Sequence, residues 1–504
     1  MDVQIAHGRL QDQAADAILV YAFESTDLSG TAQAVNQALD GAISALIEGR
    51  DFSGKAGQVA VLYPRGFPAR RVIIAGLGKR DSFTADAIRR ATAQGVIKAR
   101  DLKVKTVAVT PLEIINISSE QSVEATVEGA LLAAYQYHGQ KSSDAPEALP
   151  ETLTIVVETD EQGEVARGVA SGKAIADGVT LARNLVNLPP NICTPAHLAD
   201  AARSAAQEVG LKIDVLERKQ MEALGMGALL GVAQGSDTPP RFIIMEHNAS
   251  KAAELDTIVL VGKGVTFDTG GYSLKDRDGM VGMKADMAGG AAVIGAMRAI
   301  GALDVPLHVV GLVPAADNMV SGHAYRPQDV LKASNGVTIE IISTDAEGRL
   351  LLADALVFAS RYKPAAVIDI ATLTGACVVA LGSVAAGVFS NNDKLRNVLM
   401  AASDRTGEKI WPLPMFPEYD KAIESLTADV KNSGGRYGGA STAAAFLNHF
   451  VDYPAWAHID MAGLAGIESM SGGSSDNPYI PAKGATGYGV RLMTDFVRKW
   501  QPLG

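Results

Sequence analysis

The chain has 504 residues, 47% of them hydrophobic and 20% charged, with 51 Gly and a formal net charge of −11. That length exceeds what one core usually supports, the composition excludes general disorder, and the negative balance disfavours wholesale nucleic-acid binding. Cys193 and Cys377 provide neither a disulfide framework nor a CxxC pair, and the opening "MDVQIAHGRLQDQAAD" lacks the basic-then-apolar pattern of a secretion signal, so a reducing, cytoplasmic compartment is expected.

The first 150 residues alternate short apolar runs, "AILVYAF", "QVAVLYP", "RRVIIAGLG" and "TVAVTPL", with helical stretches such as "TADAIRRATAQGVIKARDL". This is the pattern of an α/β module. Between Lys55 and Lys105, 12 basic residues stand against Asp81, Asp86 and Asp101, an excess of +9. A solvated face is the first reading of that stretch, and a polyanion or subunit contact the second. After the polar loop "GQKSSDAPEALPE", the strand "TLTIVVETD" precedes a helical pattern from about Glu164 to Leu185. The expected division is an N-terminal α/β domain over 1–163, a connecting helix over 164–185 and a larger C-terminal domain over 186–504.

From "NLVNLPPNICTPAHLAD" onward the pattern restarts. The apolar runs "IDVLE", "RFIIMEH", "TIVLVG", "LHVVGLVPAA", "VTIEIIS" and "AAVIDIATL" alternate with helical segments, which predicts a mostly parallel central sheet covered by helices on both faces. The uncharged run "IATLTGACVVALGSVAAGVF", Ile370 to Phe389, is nominally long enough to span a bilayer. Three glycines, two threonines and a serine interrupt it, so it reads as a buried strand entering a Gly-containing loop, and no membrane partner is expected.

Most signature motifs of catalysis are missing: no GxxxxGK[ST], no GxGxxG after a strand, no GxSxG and no HExxH. The eight histidines show no ligand spacing, and His323 and His458 read as structural residues. What remains is a set of acids at the ends of apolar runs. "TIVLVGKGVTFDTGGYSLKDRDGMVGMKADMAGG" carries Lys263, Asp268, Lys275 and Asp286, and "VTIEIISTDAEGRL" carries Asp345, Glu347 and Arg349. The carboxyl ends of strands line the ligand crevice of open α/β sheets, and four acids converging there would repel one another unless cations offset them. Carboxylates without His or Cys suit hard or borderline divalent ions. Asp276 and Asp278, by contrast, read as acids that each cap a helix or make a surface ion pair.

The segments "GKGVTFDTGGYSLK", "MKADMAGGAAV" and "STDAEGRLLLADAL" resemble the signature of the leucyl aminopeptidase (cytosol aminopeptidase) family, the M17 metallopeptidases. The resemblance continues in order through "RNLVNLPPNICTP", "GHAYRPQDV", "IDIATLTGA", "HIDMAG" and "KGATGYGVRL", over about residues 175 to 493. It implies two adjacent metal sites, one built from Lys263, Asp268, Asp286 and Glu347, the other from Asp268, Asp345 and Glu347. It implies Mn²⁺ or Zn²⁺, or alternatively Mg²⁺, as the ions, with Lys263 ligating as a neutral amine. It further implies Lys275 as the charged group that polarises the scissile carbonyl and Arg349 as the holder of a bicarbonate that relays the proton of a metal-activated water. Met283, Thr372, Leu373 and Gly375 are implied as substrate-binding residues, peptides with a free N-terminus as substrates, N-terminal Leu and other apolar residues as the preference, and a homohexamer as the assembly.

Four positions depart from the family's usual pattern: Ser343 for Asn, Asp276 for Pro, Ala288 for Gly and Gln328 for Gly. They bear on loop geometry and substrate preference, and none is an implied ligand. A nucleic-acid-binding protein acting through the basic stretch, and a catalytically silent hexameric scaffold, are the alternative readings.

Overall fold

A computed structural model describes residues 1–503 except 26, 115, 143–147, 159–161 and 468–475. The chain separates into two compact units, Met1–Ala176 with Ser475–Pro481, and Asp177–Ser474 with Ala482–Gly504.

The first unit is built on β1 (Asp2–His7), β2 (Ala17–Phe23), β3 (Val59–Leu62), β4 (Val72–Gly78), β5 (Thr106–Val109) and β6 (Thr152–Val157), in the order β1-β6-β5-β2-β4-β3. All pairs are parallel except β3 with β4. Burial on both faces is why β2 reads as an unbroken apolar run. Leu19 and Tyr21 join a core with Ile88, Val96 and Val123 of the helices Ala85–Asp101 and Ser119–Ala133. Ile18 and Val20 join a second core with Val35, Ile43 and Phe52. The basic stretch is more than a solvated face, because Arg89 is buried and pairs with buried Glu128 at 2.8 Å. Arg90 pairs with Asp86 and Lys105 with Glu151, so part of the local positive charge is neutralised within the unit.

The strands of the second unit include β7 (Lys212–Leu216), β8 (Arg241–His247), β9 (Thr257–Gly262), β10 (Gly264–Asp268), β11 (His308–Asn318), β12 (Val330–Lys332), β13 (Thr338–Glu340), β14 (Ala366–Ala371), β15 (Ala386–Ser390), β16 (Ile410–Pro412), β17 (Val430–Lys431) and β18 (Trp456–Asp460). Nine of them form one sheet, β16-β15-β18-β14-β9-β11-β8-β7, with β10 beside β11. Its centre, β18-β14-β9-β11, is parallel, while β7, β8 and β15 pair antiparallel. Val259 and Val261 of β9 and Val310 and Leu312 of β11 share a core with Leu350, Leu351 and Leu352 of the helix Gly348–Ala359. The other face packs against the helix Ala288–Ala302, and a Cβ on Gly311 would meet Met297 Cγ at 2.6 Å.

Close approach at one end of this sheet fixes where the neighbouring loops can run. A Cβ on Gly262 would lie 2.4 Å from Gly289 O, and one on Gly289 would lie 2.2 Å from Ile370 O. Only glycine fits both places, so the start of the helix Ala288–Ala302 sits directly on the ends of β9 and β14.

Two expectations need correction. "VTIEIIS" is not a strand of the main sheet; only Thr338–Glu340 is extended, in a separate sheet ordered β12-β13-β17. Its alternation, Ile339 buried between half-buried Thr338 and Glu340, is that of a one-sided strand, and an apolar run alone does not reveal that difference. The run from Ile370 to Phe389 contains the end of β14, a helix Gly375–Leu381 capped by Thr374 Oγ1, and most of β15, rather than a strand and a loop. Among the described residues no helix is long and apolar enough to cross a membrane.

Gln328 adopts φ +76° and donates its N–H to Ile341 O at 2.6 Å. A left-handed non-Gly residue costs roughly 1–2 kcal/mol, part of which Gly would give back through its greater unfolded-state entropy. Gln328→Gly is therefore expected to raise unfolding free energy by about 0.5–1 kcal/mol. Denaturant titration checks this; an unchanged or lower midpoint would mean that contacts of the Gln side chain offset the strain.

Candidate metal centre

Lys263 follows directly on β9, where the sheet end and the adjoining helix shield it. Its ammonium lies 2.8 Å from Asp286 Oδ1, 2.8 Å from Glu347 Oε1 and 3.0 Å from Thr372 O. Asp268 closes β10; its Oδ1 accepts from Gly270 N and Asn318 Nδ2, both at 2.8 Å, and its Oδ2 meets Lys275 Nζ at 2.9 Å. Lys275 also lies 2.5 Å from Asp345 Oδ1. Asp286 comes from the short turn Met283–Met287, and Glu347 immediately precedes the helix Gly348–Ala359. Glycine at 348 leaves Lys263 its place, since a Cβ there would fall 2.6 Å from Lys263 Nζ and push the ammonium aside.

Carboxylate oxygens of Asp268, Asp286 and Glu347 come within 4.8 Å of one another, and the three residues are only 2%, 3% and 1% exposed. Burial raises the Asp268 and Asp286 pKa values, with Glu347 adding to the shift and the lysines opposing it. Burial alone would lower the pKa of Lys263, but Asp286, Glu347 and Asp268 outweigh it and push it above its ordinary value. Lys275 is raised in the same way, against its burial, by Asp268, Glu347 and Asp345. Four carboxylates against two ammoniums leave two negative charges uncompensated within the set. Asp286 Oδ2 is buried with no hydrogen-bond partner among the described residues. An oxygen-rich nest with excess negative charge and a free buried lone pair fits divalent cations.

Arg349 is also buried; its Nη1 donates to Asn432 O at 2.8 Å, and its Nε is buried without a hydrogen-bond partner among the described residues. Burial lowers its pKa to about 10, against the pull of Glu347, Asp460 and Asp345. A shielded guanidinium with a spare donor is a place for a small anion.

One cavity of about 290 Å³ collects all these groups. It is lined by Lys263, Asp268, Lys275, Asp286, Asp345, Glu347 and Arg349, and also by Met283, Thr372, Leu373 and Gly375. Asp345 is the most open of the acids, with its side chain 37% exposed. Thr372 does more than line the wall, because its hydroxyl donates to Asp286 Oδ1 at 2.8 Å. Asp276 accepts from Gly279 N and caps the turn Arg277–Met280, away from the cavity lining. His323 is exposed. His458 is buried, with Nδ1 2.5 Å from Asp369 Oδ1, a pairing across 89 residues that no local spacing could reveal.

Several positioning residues carry no sequence signal. Asn318, the last residue of β11, aims Asp268 and also donates to Thr344 O at 2.9 Å. Thr344 Oγ1 ties the two acid-bearing loops together by donating to Gly270 O and accepting from Ser273 N. Asp460, at the end of β18, accepts from Leu373 N and Thr374 Oγ1 and so holds the cavity wall. Asn432 accepts from Ile342 N and Ser343 N, and donates to Ser343 O.

Comparison with known proteins gives the family of the chain. The profile of the cytosol aminopeptidase family's catalytic domain matches residues 180–494, and that of its N-terminal domain matches residues 18–144. A protein of Roseiflexus castenholzii described as "Probable cytosol aminopeptidase" is 48% identical, over 94% of this chain and 97% of its own. The bottromycin maturation enzyme BotP in complex with Mn is similar with a TM-score of 0.83 and 35% identity, covering 96% of this chain and 99% of its own. A mutant of tomato leucine aminopeptidase is similar with a TM-score of 0.86 and 33% identity, covering 99% and 96%.

The Thr372 hydroxyl orients an acid of the nest, and loss of such a partner typically weakens metal binding 10- to 100-fold. Thr372→Val is expected to raise the metal concentration needed for half-maximal activity by about that factor. Titration of activity with Mn²⁺ measures it. A variant with unchanged metal demand but altered side-chain preference would show that Thr372 acts on substrate alone.

Proposed function

The chain belongs to the cytosol aminopeptidase family and removes N-terminal residues from peptides in a metal-dependent reaction, and we propose that Leu and other apolar residues are its preferred targets. The observation that carries the site assignment is the nest of Asp268, Asp286 and Glu347, buried, mutually within reach and short of positive charge. In this assignment Lys263, Asp268, Asp286 and Glu347 hold one divalent ion, and Asp268, Asp345 and Glu347 hold a second. Mn²⁺, Zn²⁺ or Mg²⁺ there would supply Lewis-acid polarisation and a water of lowered pKa.

The remaining roles fall to side chains. Lys275, paired with Asp268 and Asp345 in this structure, would with cations bound turn its ammonium to the carbonyl oxygen, where negative charge grows in the transition state. Arg349, whose Nε has no hydrogen-bond partner among the described residues, would hold a bicarbonate that accepts the proton of the attacking water. Met283, Thr372, Leu373 and Gly375 form the wall that receives the first side chain. A homohexamer and a cytoplasmic location complete the reading, both supported by family resemblance.

Free and N-acetylated leucine anilide, assayed side by side with added Mn²⁺ or Zn²⁺, test the exopeptidase assignment. Hydrolysis of the free substrate alone, lost on chelation and restored by metal, is expected; equal cleavage of both substrates contradicts it. The two lysines separate further. Lys263→Ala should lose metal and regain part of its activity in excess metal, whereas Lys275→Ala should keep its metal and lose roughly 10²- to 10³-fold in kcat. Metal rescue of Lys275→Ala would reverse these roles.

A further inference from the structure

Arg436 is the fourth cation at the cavity and the one the proposed reaction leaves without a task. Lys263, Lys275 and Arg349 all have acid or carbonyl partners. Arg436 lines the same cavity, is exposed, and has no ion pair or hydrogen bond among the described residues. Gly434, Gly435, Gly438 and Gly439 flank it, with φ +91° at Gly435 and +62° at Gly438, left-handed conformations that glycine adopts without strain.

Its side of the cavity is set by Asn432. Through Asn432 the loop is bound to Ile342 and Ser343, so Ser433, Gly435 and Arg436 belong to the wall that carries Ser343 and Ala346. Met283 and Thr372 lie beside Asp286 and Leu373 beside Asp460, while the far end of the loop meets the neighbouring segment, a Cβ on Gly439 falling 3.0 Å from Ala376 Cβ. If the first residue of a peptide lies against Met283, Thr372 and Leu373, the part beyond the scissile bond faces Ser343, Ser433 and Arg436. In a dipeptide the terminal carboxylate follows the scissile bond by a single residue, about 3.8 Å along the Cα trace. The loop with Arg436 lines the same cavity as the nest, so it borders the space such a carboxylate would enter.

We propose that Arg436 is a specificity-determining residue that binds the C-terminal carboxylate of dipeptide substrates. This rests on the aminopeptidase reading and adds a substrate class to it, short peptides with a free carboxyl end. A charge-assisted bond at an open site is worth on the order of 10-fold in kcat/KM.

The test compares Leu-Gly with Leu-Gly-amide for the wild type, Arg436→Ala and Arg436→Lys, with wild-type hydrolysis of leucine anilide measured alongside. Expected is a preference of the wild type for Leu-Gly of roughly 10-fold in kcat/KM, expressed mainly in KM, collapsing toward parity in Arg436→Ala and partly kept in Arg436→Lys. A wild-type ratio near one, or an Arg436→Ala variant that weakens both substrates equally, overturns the proposal while anilide hydrolysis still upholds the aminopeptidase reading. A wild type that prefers Leu-Asp-amide to Leu-Asn-amide but not Leu-Gly to its amide overturns the carboxyl-terminal assignment in favour of an acidic side chain. Failure to hydrolyse leucine anilide with metal present overturns both readings together.

Discussion

Negative charge held out of water at the ends of β9 and β10 is the constraint around which the second unit is arranged. Asp268, Asp286 and Glu347 are almost wholly buried, and such groups are tolerated only when counter-charge is fixed close by. Two lysines provide part of it, Lys263 beneath Asp286 and Glu347, and Lys275 between Asp268 and Asp345. The part left over is what makes the nest a cation site, and the same surplus explains why Lys263 stays protonated until ions take its place.

Close packing turns that electrostatic demand into geometry. Glycines at 262, 289 and 348 remove the Cβ atoms that would keep the sheet end, the helix Ala288–Ala302 and the Lys263 side chain apart. Hydrogen bonds then fix the direction of each acid: Asn318 and Gly270 for Asp268, Thr372 for Asp286. Thr344 and Asn432 join the loops that carry Lys275, Asp345 and Arg349 to one another. Acids of one charge can be brought together because the backbone around them has few other conformations available.

Much of the architecture was legible because strands buried on both faces read as unbroken apolar runs, as "AILVYAF" and "TIVLVG" do. β13 was misplaced because a run such as "VTIEIIS" does not say whether its second face is covered. β10 and β18 escaped notice, since "GVTFD" and "WAHID" carry polar residues where apolar ones are looked for. Within the site, composition and spacing led as far as a cluster of acids near glycines; the separate roles of Lys263, Lys275 and Arg349 came from resemblance. Asn318, Thr344 and Asp460 were invisible for a physical reason. Each acts through a partner between 26 and 87 residues away, and single polar residues at strand ends form no pattern. Gln328 shows the converse, a departure from the family's glycine whose meaning appeared only with its left-handed backbone.

The account stands or falls on whether cations replace the lysine charge in the nest. Calorimetric titration of Mn²⁺ into chelator-treated protein, in two buffers of different ionisation enthalpy, counts ions bound and protons released together. Two ions per chain are predicted, with release of at least one proton, that of the Lys263 ammonium, as it becomes a ligand. Binding of a single ion, or of two with no proton released, would contradict the central claim.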